Sequence, residues 1–113
     1  MLGQGRATGL DGAPCRATLE SKLEAGRLTV IGHCQNAGNE PLTLQYELSA
    51  NKRGQAGSSR NSQSGRFTVA PQQTANLSQT TMSVAATDFY QINLRVLDLQ
   101  GRVVAEDSLV HRP

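Results

Sequence analysis

The chain of 113 residues has no tryptophan, two phenylalanines, two tyrosines and two cysteines. With so few aromatics the core has to be assembled from Leu, Val, Ile and Ala, and a chain of this length builds one domain with a modest core. No apolar run approaches the length of a membrane-spanning helix. The opening MLGQGRATGLDGAP lacks the apolar segment of a signal peptide, so residues 1–13 are expected to be a flexible lead-in to a single domain over 14–111. A net charge of +2 does not by itself point to nucleic acid.

Signatures of chemistry are missing too. There is no P-loop, no GxGxxG and no Cys-x-x-Cys, and no Ser or His sits where a strand–turn–helix would seat a nucleophile. The carboxylates are scattered, and Glu106-Asp107, the one adjacent pair, would face opposite sides of a strand. His33 and Cys34, with His111 and Cys15, match no zinc-ligand spacing, and adjacent strand residues point apart. No enzyme activity, cofactor or metal is expected. Asn76-Leu77-Ser78 fits a glycosylation sequon, a match that chance supplies often.

Alternation of apolar and polar residues is what the chain does have, punctuated by turn residues at the spacing of a sandwich or barrel. The first strand runs from about Cys15 to Leu23 and the second from Leu28 to about Gln35, joined by Glu24-Ala25-Gly26-Arg27. The third is the clearest, with Leu42, Leu44, Tyr46, Leu48 and Ala50 alternating with Thr43, Gln45, Glu47, Ser49 and Asn51. A short fourth strand, Arg66 to Ala70, stops at Pro71. The fifth, about Ala75 to Val84, has broken alternation and is expected to carry a bulge or lie at an edge. The sixth places Tyr90, Ile92, Leu94 and Val96 inward, and the seventh runs from Arg102 to Val110. These make an all-β, seven-stranded immunoglobulin-like β-sandwich. In that topology the first, second and fifth strands share a sheet with the fourth at its edge, and the third, sixth and seventh form the other.

Cys15 and Cys34 fall near cross-strand register on one face, and the pair reads as a disulfide of an oxidising compartment. Closing a loop of about 20 residues would stabilise the fold by roughly 3 kcal/mol. Two buried free thiols are the alternative. Between the third and fourth strands, Gly, Ser and Asn are interspersed with Lys52, Arg53, Arg60 and Arg66, and no acid follows Glu47 until Asp88. This stretch reads as a basic loop, either a solvated surface or a site for an acidic partner. Without interleaved aromatics it does not suit RNA.

The pattern Tyr46-x-Leu48, a basic residue, a Gly-rich loop and then Gly57-Ser58-Ser59-x-Asn61-x-Gln63-x-Gly65-x-Phe67 resembles the CsgH family of curli assembly factors, which is related to CsgC. Asp88-Phe89-Tyr90-x-Ile92-x-Leu94-x-Val96 and the early Cys15 look similar to that family as well. The resemblance implies a periplasmic immunoglobulin-like domain that keeps the curli major subunit, an amide-rich and often acidic chain, from forming amyloid before export. Lys52, Arg53, Arg60 and Arg66, joined by Arg95, would supply the attraction, with Gln45, Ser49, Gln91 and Asn93 lining the same face. The protein would then be a monomer making transient contacts, with no nucleic-acid or membrane partner. The rival reading is a non-catalytic adhesive or scaffolding module of a surface assembly.

Overall fold

A computed structural model describes residues 8–9, 15–55 and 57–113. Eight strands run in chain order: β1 (Thr8–Gly9), β2 (Cys15–Glu24), β3 (Arg27–Asn36), β4 (Leu42–Gly54), β5 (Gly57–Val69), β6 (Thr74–Ser83), β7 (Phe89–Leu97) and β8 (Val103–His111). Their order in space is β5-β4-β7-β8-β1-β2-β3-β6, with every pairing antiparallel. Seven long strands thus make two sheets, β5-β4-β7-β8 and β2-β3-β6. The two residues of β1 stitch them together along one side, through Thr8 opposite Ala17 and Glu106. The opposite side stays open between the edge strands β5 and β6. The all-β sandwich is as the alternation predicts. Residues 1–7 and 10–14, most of the expected lead-in, lie outside the described residues.

The core follows from the period-2 pattern, because successive strand side chains point to opposite faces. Leu44, Leu48 and Ala50 of β4 meet Ile92, Leu94 and Val96 of β7 and Ala17, Leu19, Leu28 and Val30 of the other sheet. Full burial of each such Leu, Ile or Val stabilises by about 1.5–3 kcal/mol. Among the described residues, the Ser78 hydroxyl is buried without a partner, but the larger buried polar side chains are answered. Asn36, fully buried, donates from Nδ2 to the carbonyls of Glu40 and Val69, and its Oδ1 accepts from the Gly38 amide, fixing the turn into β4. Asp107 Oδ2 accepts from the Leu19 amide at 2.8 Å, two residues along β2 from the β1 pairing at Ala17, and so takes over where that stitch ends.

Three expectations change. The fourth strand is not a short edge beside the fifth: β5 has 13 residues and pairs with β4 along its whole length, from Leu42↔Val69 to Gly54↔Gly57. The expected basic loop is therefore a long hairpin. Its polar sequence hides this because most of β5 is exposed, so no apolar period marks it. Gly54 is needed at the turn, where an added Cβ would collide with the Asp88 carboxylate that caps the Ala85 amide.

The cysteines are the third. Register sets Cys34 opposite Ala17 and Cys15 opposite Asn36, so the two lie diagonally, and both are free, buried thiols. A diagonal pair is wider apart than the Cβ separation a disulfide accepts. The two thiols stay free, and the neighbouring Cys15 thiol together with burial pushes the Cys34 thiol far up.

The fifth sequence strand does behave as its broken pattern predicts. As β6 it is an edge, and its register against β3 shifts between Gly32 and His33, where Leu77 is passed over. Among the described residues no helix is long and apolar enough to cross a membrane.

Candidate partner-binding face

Register decides which side chains share the outer face of the β5-β4-β7-β8 sheet. On β4 the alternation that buries Leu44, Leu48 and Ala50 turns Gln45, Glu47, Ser49, Asn51 and Arg53 outward. Their neighbours across the ladder on β5 are Arg66, Ser64, Ser62, Arg60 and Ser58. On β7 they are Leu97, Arg95, Asn93, Gln91 and Phe89. On β8, Glu106 lies beside Arg95 and Ser108 beside Asn93. The face is therefore four strands wide and built from hydroxyls, amides and arginines.

Arg53, Arg60, Arg66 and Arg95 are all exposed on it. Arg60 Nε donates to Asn51 Oδ1 at 3.1 Å, and the Arg53 guanidinium lies 4.9 Å from the centre of the Phe89 ring. Arg95 is 3.7 Å from Glu47, an exposed pair of little energetic weight. Two shallow depressions mark the face. One, of about 550 Å³, is lined by Asn51, Lys52, Arg53, Ser58, Ser59, Arg60, Phe89 and Gln91. The other, of about 440 Å³, is lined by Glu47, Leu48, Ser49, Ser62, Gln63, Ser64, Asn93 and Arg95. The small serines along β5 and at Ser49 leave the relief low between the arginines. Four arginines against Glu47 and Glu106 leave the face cationic.

The sequence-predicted residues sort cleanly. Arg53, Arg60, Arg66 and Arg95 come together, with Gln45, Ser49, Gln91 and Asn93 among them. Lys52 does not join them. It follows Ala50 on the inward side of β4, and its Nζ crosses the open side of the sandwich to the carbonyl of Ser83 on β6, at 2.8 Å. Reading the stretch as a loop concealed this, since only a strand forces Lys52 and Arg53 to opposite faces. Phe89, Asn51 and Glu47 belong to the face and were not singled out. Outward alternation next to buried Tyr90 was the signal for Phe89.

The other candidates have local partners. His33 sits on the outer face of β3, Nδ1 at 2.8 Å from Asn76 Oδ1 and Nε2 at 2.8 Å from Glu20 Oε1, so the sequon asparagine is tied to a neighbouring strand. Cys34 points into the core, away from it.

Compared with known protein families, residues 16–107 match the CsgH protein family. No curated protein matches the chain. Among solved structures, the solution structure of R. palustris CsgH is similar at 21% identity and a TM-score of 0.64, covering 85% of this chain and 91% of that one. The E. coli curli protein CsgC is similar at 15% identity and a TM-score of 0.69, covering 81% and 94%. Bacteroides uniformis beta-glucuronidase 2 is similar at 8% identity and a TM-score of 0.55, covering 81% of this chain but 12% of that enzyme. The same sandwich thus recurs inside an unrelated context, and architecture alone does not carry function. The family match spans the chain from the second residue of β2 to the buried Asp107 of β8, and by it the chain belongs to the CsgH family.

Proposed function

We propose that this protein is a chaperone-like inhibitor of amyloid formation by the curli major subunit. It acts in the periplasm, by transient contacts and without chemical transformation of its partner. The observation that carries the reading is the gathering of Arg53, Arg60, Arg66 and Arg95 on one amide- and hydroxyl-rich sheet face. Membership of the CsgH family and the likeness to a curli protein of E. coli support it.

The physics is coherent. Amyloid grows by adding strands to exposed strand edges, and a polar, low-charge segment is its usual substrate. A cationic face raises the encounter rate with an acidic chain, and flat relief without a deep pocket keeps each contact short-lived. Brief contact suits a partner that still has to be exported. The Lys52 side chain, engaged with Ser83, is directed away from this face.

The test is a thioflavin time course of the curli major subunit with substoichiometric protein. The lag is expected to lengthen severalfold. Replacing Arg53, Arg60, Arg66 and Arg95 together by Ser should remove most of that extension while leaving thermal unfolding nearly unchanged, because all four are exposed. An unchanged lag with the wild-type protein overturns the proposal. A stable stoichiometric complex with no effect at low ratio would favour a scaffolding module instead.

A further inference from the structure

The open side of the sandwich has two edges, and they are guarded differently. β5 carries Arg60 and Arg66. β6, from Thr74 to Ser83, carries no charge and no proline. Long uncharged edges are where foreign strands add, and proteins protect them with charges, prolines or bulges.

The backbone of β6 shows which groups are free. The Val84 amide donates to Gly26 on the β3 side at 2.9 Å. Along an antiparallel strand successive residues turn their N–H and C=O groups to alternate sides. Met82 and Thr80 therefore face β3 with Val84, while Ser83, Thr81 and Gln79 face away. The hydroxyls of Thr29 and Thr81, 3.5 Å apart, fit the close, non-hydrogen-bonded pairing this requires. Ser83, Thr81 and Gln79 thus present a regular row of unpaired backbone groups, ended on the other side by the bulge opposite Gly32 and His33.

That row is occupied at one point from outside its sheet. Lys52 of β4 reaches across the opening and donates to the outward carbonyl of Ser83. Gln63 of β5 spans the same opening to Thr80 Oγ1 at 2.6 Å. A lysine whose ammonium sits on a free edge carbonyl does what an incoming strand amide would otherwise do.

We infer that the β6 edge from Gln79 to Ser83 is a strand-addition site, and that Lys52 is its gatekeeper. The occupant is an extended segment of uncharged amide- and hydroxyl-bearing residues in the amyloidogenic partner. Side chains of that kind would lie beside Thr81 and Gln79, which are exposed and uncharged. A second copy of this chain is the less favoured occupant, because pairing β6 with β6 would displace two Lys52 side chains where a foreign strand displaces one. The inference rests on the function proposed above and adds an edge contact to the face contact.

Charge attraction and gatekeeping make opposite predictions for Lys52. Lys52→Met keeps the aliphatic stem and frees the Ser83 carbonyl. In the thioflavin assay at a ratio where the wild-type protein gives partial delay, K52M should lengthen the lag at least twofold further. Thr81→Pro removes an outward N–H that pairs with nothing among the described residues, so it should preserve folding and shorten the lag below that of the wild type. Should T81P unfold, Thr81→Lys places a charge on the edge and is expected to act in the same direction. Amide exchange gives a second readout: Gln79 and Thr81 should gain protection when the curli subunit is added. A wild-type protein that inhibits, together with a K52M variant that is equal or weaker, overturns this inference alone. Unchanged inhibition by folded T81P or T81K does so too, as does unaltered exchange at Gln79 and Thr81. A wild-type protein with no effect on the lag overturns the proposed function, and this inference with it. A concentration-dependent dimer of K52M assigns the edge to a second copy and overturns the chosen occupant.

Discussion

Asp107 holds an unusual position for a carboxylate in so small a core. It is buried, it accepts from the Leu19 and Ser108 amides, and burial nonetheless outweighs those bonds and pushes its carboxyl up. Folding therefore shifts Asp107 towards the protonated form relative to the unfolded chain. The contribution of Asp107 to stability is full below the unfolded carboxylate value of about 3.9 and declines as pH rises through the raised folded value. Asp107→Ala orphans the Leu19 amide and should cost about 1–3 kcal/mol. Its deficit against the wild type is expected to be greatest in acid and to narrow towards neutral pH, as urea unfolding over a pH series would show. A deficit that widens with pH would reverse the sign argued here. Asp98 is of the opposite kind. The Arg102 amide, helped by the Arg102 side chain and the Gln100 amide, holds it below the usual carboxylate range, so its contribution is present above the unfolded value and is lost in acid. For the cysteines, a raised Cys34 thiol inside the core predicts slow alkylation in the native protein and rapid alkylation in denaturant. The intact mass should not change on reduction, and a mass gain would show that the strands slip to bridge the pair. The spacing placed these thiols on one face, but a two-residue offset in register separates a bridge from two free thiols.

Among the elements, the hairpins β2–β3 and β4–β5 show how turn chemistry and alternation divide the work. The β2–β3 turn uses Ala25 at φ 51° and Gly26 at φ 78°, with Glu24 opposite Arg27. Both central residues in the left-handed region are what a two-residue hairpin of this twist demands. Ala is poorly suited to that region, so Ala25→Asn should stabilise by about 0.5–1 kcal/mol. Thermal unfolding would register it, and a lower midpoint would contradict the turn assignment. Just inside this turn the sequence points Leu23 inward, yet it is 58% exposed while Leu28 across from it is buried. The β4–β5 hairpin was the element hardest to read. Residues 57–62 pair with β4 through their backbones while their side chains stay in water, and backbone pairing leaves no mark in side-chain pattern. Misreading it as a loop cost the face assignment of Lys52, since loops impose no alternation. β6 was readable because its irregularity is itself in the side chains: the skipped Leu77 breaks the period where the register shifts.

For the molecule as a whole, charge and edge lie on different surfaces, and salt separates them. Attraction by the outer face fades within a Debye length of about 8 Å at physiological ionic strength, whereas backbone pairing at an edge does not depend on charge. Raising salt from low to several times physiological should weaken inhibition by the wild-type protein. It should have little further effect on the variant lacking Arg53, Arg60, Arg66 and Arg95, measured as lag time at fixed protein ratio. Equal salt sensitivity in both would place the attraction elsewhere on the surface. The class of fold, the buried sides of β4 and β7 and the cationic, amide-rich character of the central stretch could all be read from residue order. Side-chain alternation and composition are properties of the chain itself. Which strands neighbour one another could not. Pairing β5 with β4 instead of β6, setting Cys34 against Ala17, collecting four arginines on one face and sending Lys52 across the opening are all matters of register, and register is chosen by packing between segments far apart in the chain.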